Sequence, residues 1–239
     1  MPSPNLLRDN IARVRDQIAA AASRAGRNPS EITLIGVSKT HPAEMIRAAY
    51  DAGLRDFGEN RVQEWEGKRQ ALTDLSEARW HLIGHLQSNK ATRAATIFHA
   101  VDSVDDAALA QRLDRTRQGT AAQGPLRVLL EVHIAGEAAK SGAEPEDLTE
   151  LAEAVTKCPS LHLSGLMCVP PLLDDAESVR PYFRKLRELR DRLESHTGQT
   201  LPVLSMGMSD DFEVAVEEGA TEVRVGTALF GQRPAPKKR

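Results

Sequence analysis

What most constrains this chain is an alternation: short β-branched runs and amphipathic helical stretches follow one another along its length. A leading stretch over residues 5–25 carries Leu6, Ile11, Val14, Ile18 and Ala21 at near-helical spacing and stops at Gly26. Strands are then expected at 32–38, 56–58, 80–84, 99–103, 127–134, 163–169, 203–208 and 222–226. Between them the spacing predicts helices near 43–52, 62–71, 89–97, 105–117, 145–157, 176–195 and 211–218. Strict alternation implies parallel strands joined by right-handed crossovers. Eight such units close most simply into a single (β/α)8 TIM barrel with an extra N-terminal helix, an α/β fold that typically needs about 250 residues. The chain has 239. An open doubly wound sheet is the alternative, but the first strand runs into Val37-Ser38-Lys39-Thr40-His41 and not into a glycine-rich dinucleotide loop. No linker or repeat divides the body, so residues 1–239 form one expected domain, with a loose loop at 119–124 and a flexible tail at 231–239.

Composition narrows the partners. A formal net charge of −3 provides no global basic field for nucleic acid or anionic lipid. Two cysteines, Cys158 and Cys168, make no disulfide framework and suit small buried positions in a reducing compartment. The N-terminus, Met1-Pro2-Ser3-Pro4-Asn5, lacks the basic and apolar regions of a signal peptide. No apolar run approaches the roughly 20 residues that cross a bilayer. A cytoplasmic protein, expected to be a monomer, with no membrane or nucleic-acid partner, is the expectation.

In a β/α barrel the chemistry sits at the C-terminal ends of the strands. Strand one ends in Ser38-Lys39. A lysine over the barrel mouth is partly desolvated, which lowers its pKa and frees the amine to attack an aldehyde. The alternative is a solvated strand-end lysine. Barrels often hold phosphate between the loops after strands seven and eight. There, Ser209 can cap the following helix and offer its hydroxyl, and Gly226-Thr227 offers a close backbone approach with a second hydroxyl. Each also has a plain structural role, Ser209 as a cap and Gly226 as a turn. An amine and a phosphate cradle in one mouth fit an aldehyde that carries a phosphate, and pyridoxal 5′-phosphate is such a cofactor. Arg224, two positions before Gly226, is expected inside the barrel beneath the cofactor, where a cation disfavours protonation of the pyridine nitrogen; an outward arginine paired with Glu222 is the alternative. His81 and His85 lie on a strand and its end, so they share no helical face and suggest no zinc pair; His85 is placed near the site as packing.

Six motifs occur in order: Val37-Ser38-Lys39-Thr40; Phe57-Gly58-Glu59-Asn60-Arg61-Val62-Gln63-Glu64; Trp80-His81-Leu82-Ile83-Gly84-His85-Leu86-Gln87; Gly165-Leu166-Met167; Leu204-Ser205-Met206-Gly207-Met208-Ser209-Asp210-Asp211-Phe212; and Arg224-Val225-Gly226-Thr227-Ala228-Leu229-Phe230-Gly231. With them the chain resembles the pyridoxal phosphate homeostasis protein family over residues 11–231, nearly its whole length. The resemblance implies a fold-type III barrel like the N-terminal domain of alanine racemase, with pyridoxal phosphate on Lys39 as an aldimine. It also implies Ser209, Gly226 and Thr227 at the phosphate, Arg224 near the pyridine nitrogen, and Asn60, His85 and Met167 lining the pocket. Such a protein carries the cofactor and delivers it to apo-enzymes through transient contacts, without robust catalysis. Two positions depart from the pattern: His133 stands where the family usually has Asn, and Gly231-Gln232-Arg233-Pro234 lacks a following aromatic residue. A racemase-like enzyme is the alternative. It needs a second acid–base group, and Tyr50 and Tyr182 are the only tyrosines, both in helical stretches. A phosphate-sugar barrel enzyme without the cofactor is a third possibility. Lys140, in the loop after strand five, is a candidate second attachment point for the aldehyde.

Overall fold

The computed structural model describes residues 3–120, 124–134 and 141–232. Its eight strands are β1 (Thr33–Val37), β2 (Asp56–Glu59), β3 (Arg79–Leu82), β4 (Ala100–Val104), β5 (Leu126–Val132), β6 (Leu161–Cys168), β7 (Val203–Ser205) and β8 (Glu222–Val225). All pair in parallel in chain order, and β8 returns to β1 with Thr33 opposite Glu222 and Gly36 opposite Val225, so the sheet is a closed barrel. The helices are α1 (Pro4–Arg24), α2 (Ala43–Asp51), α3 (Val62–Arg69), α4 (Ala91–Ile97), α5 (Ala107–Gln118), α6 (Leu148–Thr156), α7 (Arg180–Thr197), α8 (Phe212–Glu217) and α9 (Thr227–Phe230). This is the (β/α)8 barrel with a leading helix that the alternation implies.

Local chemistry sets the element ends. The Ser3 hydroxyl accepts the Leu6 N–H at 3.3 Å and Pro4 occupies the first turn, so α1 starts where a cap and a fixed φ favour it. Leu7, Ile11, Val14 and Ile18 form its buried stripe, which packs on α2, α8 and α9. Asp106 caps α5 through the Leu109 N–H at 2.7 Å. Three expected boundaries shift. Helix α6 begins at Leu148, not at 145. Residues Ala176–Val179 form a 3-10 turn before α7 proper. Strand β7 stops at Ser205, not at 208, because the chain already bends at Gly207, whose φ is +94°. The short helix α9 follows β8, beyond the seven helices that the spacing predicts between strands.

Most buried apolar side chains lie between strands and helices. Ile35, Leu129 and Met167 are buried apart from that layer, on the strands of the barrel wall. At the N-terminal ends of the strands an ion-paired cluster replaces the usual branched aliphatic filling. Arg79 grips Asp56 at 2.7 and 2.6 Å. His81 bridges Asp56 and Asp102 at 3.1 and 3.2 Å. Arg127 joins Asp102, at 3.1 Å, to Glu222. Burial pulls the His81 pKa down, but Asp102 and Asp56 outweigh it and push it up to about 9. Burial raises the Asp56 carboxyl, and Arg79 and His81 reverse this and hold it at about 2. The oxygens of Asp102 and Glu222 and a His81 nitrogen lie close enough together for a metal, but the Arg127 guanidinium already bonds both carboxylates. Both cysteine thiols are buried and free. Among the described residues no helix is long and apolar enough to cross a membrane.

Candidate ligand site at the barrel mouth

At the C-terminal ends of the strands lies a cavity of about 290 Å³. Lys39, Asn60, Ser209, Arg224, Gly226 and Thr227 line it, with Val37, His41, Ile83, Val169 and Met208 among the others. Such a volume suits a small molecule. Strand alternation aims Lys39. A Cβ on Gly36 would strike Leu54 and approach Phe230, so that residue faces the helices and Val37 faces the barrel. Beyond β1 the chain turns, with the His41 N–H bonded to the Ser38 carbonyl at 3.1 Å. Thr40 occupies the third position of that turn with φ +67°, a place normally left to Gly or Asn. The buried His41 ring stacks on Phe230 with centroids 4.9 Å apart and forms one wall.

Across the cavity, the ends of β7 and β8 are shaped by Gly207, Asp211 and Ser209. A Cβ on Gly207 would lie 2.9 Å from the Phe212 Cα, so only glycine lets the chain pass α8 so closely. Asp211 accepts the Met208 N–H at 2.6 Å and fixes the loop; burial pushes its carboxyl up, against that hydrogen bond. Ser209 does not cap α8, whose first flanking residue is Asp211. Its hydroxyl instead accepts the Gly226 and Ala228 N–H groups at 3.3 and 3.2 Å, because the tight bend at Gly207 carries it past α8 toward β8. Backbone N–H groups at the start of α9 therefore meet the Ser209 hydroxyl where a phosphate is expected. Arg224 is 3% exposed. It donates to the Ser205 hydroxyl and the Cys168 carbonyl, both at 2.8 Å, and among the described residues it has no ion pair. The outward arginine paired with Glu222 is thus not the arrangement; Glu222 is taken by Arg127. A buried guanidinium with no carboxylate in hydrogen-bonding contact leaves room for an anion or a lone pair beside it, though the Asp211 and Glu131 carboxyls are near enough to feel its charge. Burial pushes the nearby Cys168 thiol up to about 12, so it stays neutral.

Two of the expected site residues do not line this cavity. His85 is exposed, lies 3.2 Å from Asp105, and faces a second concavity of about 570 Å³ that shares only Asn60 with the first. The β3 end carries it sideways because Gly84 sits directly against the Asn60 backbone. Met167 is fully buried in the barrel wall opposite Ser205, the acceptor for Arg224. His133 pairs with Glu144 at 2.6 Å. Lys140 and the tail from 233 lie outside the described residues. His41 and Asp211 were missing from the sequence-based set. His41 follows the lysine by two positions, and Asp211 precedes a helix; neither spacing points at a ligand.

The family model described as alanine racemase, N-terminal domain, matches residues 9–234. The pyridoxal phosphate homeostasis protein of Aquifex aeolicus is 48% identical over 226 residues, 94% of this chain and 97% of the relative. The structure of PipY from Synechococcus elongatus with PLP bound superposes with a TM-score of 0.77 at 42% identity, covering 90% of this chain and all of PipY. An alanine racemase from Clostridium difficile shares the fold, with a TM-score of 0.75 at 14% identity, and this chain spans 59% of it. Barrel, motifs and relatives agree: the chain belongs to the pyridoxal phosphate homeostasis protein family, within the alanine racemase N-terminal domain group.

Proposed function

We propose that this protein binds pyridoxal 5′-phosphate at the barrel mouth, holds it covalently through Lys39, and serves intracellular cofactor homeostasis by carrying it to apo-enzymes. One observation carries the proposal: a single cavity contains the Lys39 amine, the Ser209, Gly226 and Thr227 cradle, and the buried Arg224. When bound, the cofactor supplies an aldehyde that condenses with a neutral primary amine. Lys39 provides that amine. Ser209 and Thr227, with the close backbone approach at Gly226, would hold the phosphate; Arg224 would lie near the pyridine nitrogen and disfavour its protonation, and Asn60 would line the pocket. Met167 stands beside Ser205, which accepts from Arg224, and His85 borders the adjoining concavity.

A carrier role is favoured over a racemase-like one by where the tyrosines lie. Racemisation needs a second acid–base group opposite the lysine. Tyr50 lies on α2 under the Arg55 guanidinium and Tyr182 lies on α7; neither lines the cavity. The proposed home is the cytoplasm, with brief contacts to recipient enzymes and the chain acting as a monomer. The deciding measurement is an absorbance spectrum before and after borohydride, with the labelled peptide sequenced. The pyridoxyl group is expected on the Lys39 peptide. A Lys39→Ala protein that keeps the same label elsewhere as its main product would overturn the assignment.

A further inference from the structure

The two residues that flank Lys39 are both tied to α3. Ser38 is fully buried; its hydroxyl donates to Glu59 Oε1 at 2.7 Å, and its carbonyl accepts from Lys68 Nζ at 3.1 Å. The Thr40 backbone N–H donates to Glu64 Oε1. Lys68 closes the set, with Nζ 2.6 Å from that same Glu64 oxygen and 3.0 and 3.2 Å from the two Glu59 oxygens. An ammonium has three N–H groups, and here they meet three partners: the Ser38 carbonyl, Glu59 and Glu64. The Glu59 side chain is 0% exposed and that of Lys68 13%.

Stability alone does not account for this cluster. Buried ion pairs roughly break even against apolar side chains of the same volume. What the cluster does accomplish is local. Thr40 is β-branched and sits at φ +67°, a conformation that persists only where its surroundings over-determine it. Glu64 supplies that restraint from one side of Lys39, and Lys68 with Glu59 supplies it from the other. Released from them, Thr40 would be free to relax toward negative φ and the turn to carry the lysine away from the mouth. None of the three side chains lines the cavity.

We infer that Lys68, Glu59 and Glu64 form a clamp that positions Lys39: by fixing Ser38 and Thr40 they hold the amine across the barrel mouth from the Ser209 cradle. The inference rests on Lys39 being the attachment point. Capture joins the neutral amine nitrogen to the aldehyde carbon, and the aldehyde oxygen departs as water with both amine hydrogens. The clamp governs how fast that bond forms, not how the phosphate is gripped.

The test uses Lys68→Met, Glu64→Ala and Lys68→Arg. Glu64 is partly exposed, so its variant keeps the experiment open if Lys68→Met folds poorly. Three quantities are compared with wild type: the rate of cofactor capture by absorbance, the affinity for pyridoxine 5′-phosphate, which has an alcohol in place of the aldehyde, and hydrogen exchange at the Thr40 amide in ligand-free protein. Lys68→Met and Glu64→Ala should each slow capture about tenfold or more, as misplaced reacting groups do. Pyridoxine phosphate should bind as before, Thr40 should exchange faster, and Lys68→Arg should recover most of the rate. Capture at the wild-type rate in both variants overturns the clamp. So does a parallel loss of pyridoxine phosphate binding, which would show general loosening of the mouth. A wild-type label on a peptide other than that of Lys39 would instead sink the attachment assignment beneath it.

Discussion

Ser209 accepts two backbone N–H groups at the start of α9, so its hydroxyl hydrogen is left to point at a ligand. Hydrogen bonds to a charged group are worth roughly 1.5–3 kcal/mol each. Ser209→Ala should therefore weaken retention of pyridoxal 5′-phosphate about ten- to a hundredfold in equilibrium dialysis. Pyridoxal without the phosphate should bind wild type poorly and be little affected by the substitution. Equal affinity of wild type for the two compounds would remove the phosphate from this end of the barrel. The place of Ser209 at the barrel mouth was legible in the sequence, but its partners were not. The sequence suggested a cap on α8; the amides that it meets belong to an element 17 and 19 residues away.

Among the elements, the segment joining β7 to α8 decides the shape of the mouth. Gly207 has φ +94° and a Cβ there would lie 2.6 Å from the Ala215 Cβ. Gly207→Ala combines backbone strain with overpacking and should cost about 2–4 kcal/mol in urea denaturation, with weaker cofactor retention. Gly198, which ends α7 at φ +67°, has nothing within 4 Å of its would-be Cβ. Gly198→Ala should cost only about 1 kcal/mol and leave retention unchanged. If the two variants are equally stable, close packing is not what makes glycine necessary at 207. The same segment shows why β7 ended earlier than the pattern of residues 203–208 implied. Periodicity registers apolar residues, and Met206 and Met208 continue the pattern past the end of the strand at Ser205, while hydrogen bonds to β8 run on only as far as Gly207.

For the barrel as a whole, the ion-paired filling beneath the site makes stability depend on pH. His81 has its folded pKa raised from 6.5 to about 9, so its contribution is complete below 6.5 and is lost as pH rises through 9. The difference amounts to about 3 kcal/mol. Asp56, lowered from 3.8 to about 2, contributes above 3.8 and loses that contribution as pH falls through 2. Denaturation midpoints measured from pH 6 to pH 10 should fall across the upper window, and in His81→Asn that fall should vanish on a background destabilised by about 3–5 kcal/mol. A wild-type midpoint flat over this range would mean that His81 is not held charged.

The sequence by itself determined the eightfold alternation, hence the barrel, and with it the end of the barrel where chemistry belongs. That Lys39, Ser209, Arg224, Gly226 and Thr227 line one cavity was legible because strand ends are local features and the fold rule says where they converge; Asn60, which shares it, came from the family resemblance. Met167 and His85, which the resemblance put in the pocket lining, lie outside this cavity. A strand end gives a position along the barrel axis, whereas the direction of a side chain there depends on where the pleat breaks and on which loops crowd it. Tertiary structure alone decided that Glu59, Glu64 and Lys68 meet around Ser38 and Thr40, and that Asp56, His81, Asp102, Arg127 and Glu222 meet inside the barrel. Charged residues in a sequence look solvated one at a time. Only closure of the sheet brings opposite charges from distant strands within hydrogen-bonding distance and removes the water that would otherwise screen them.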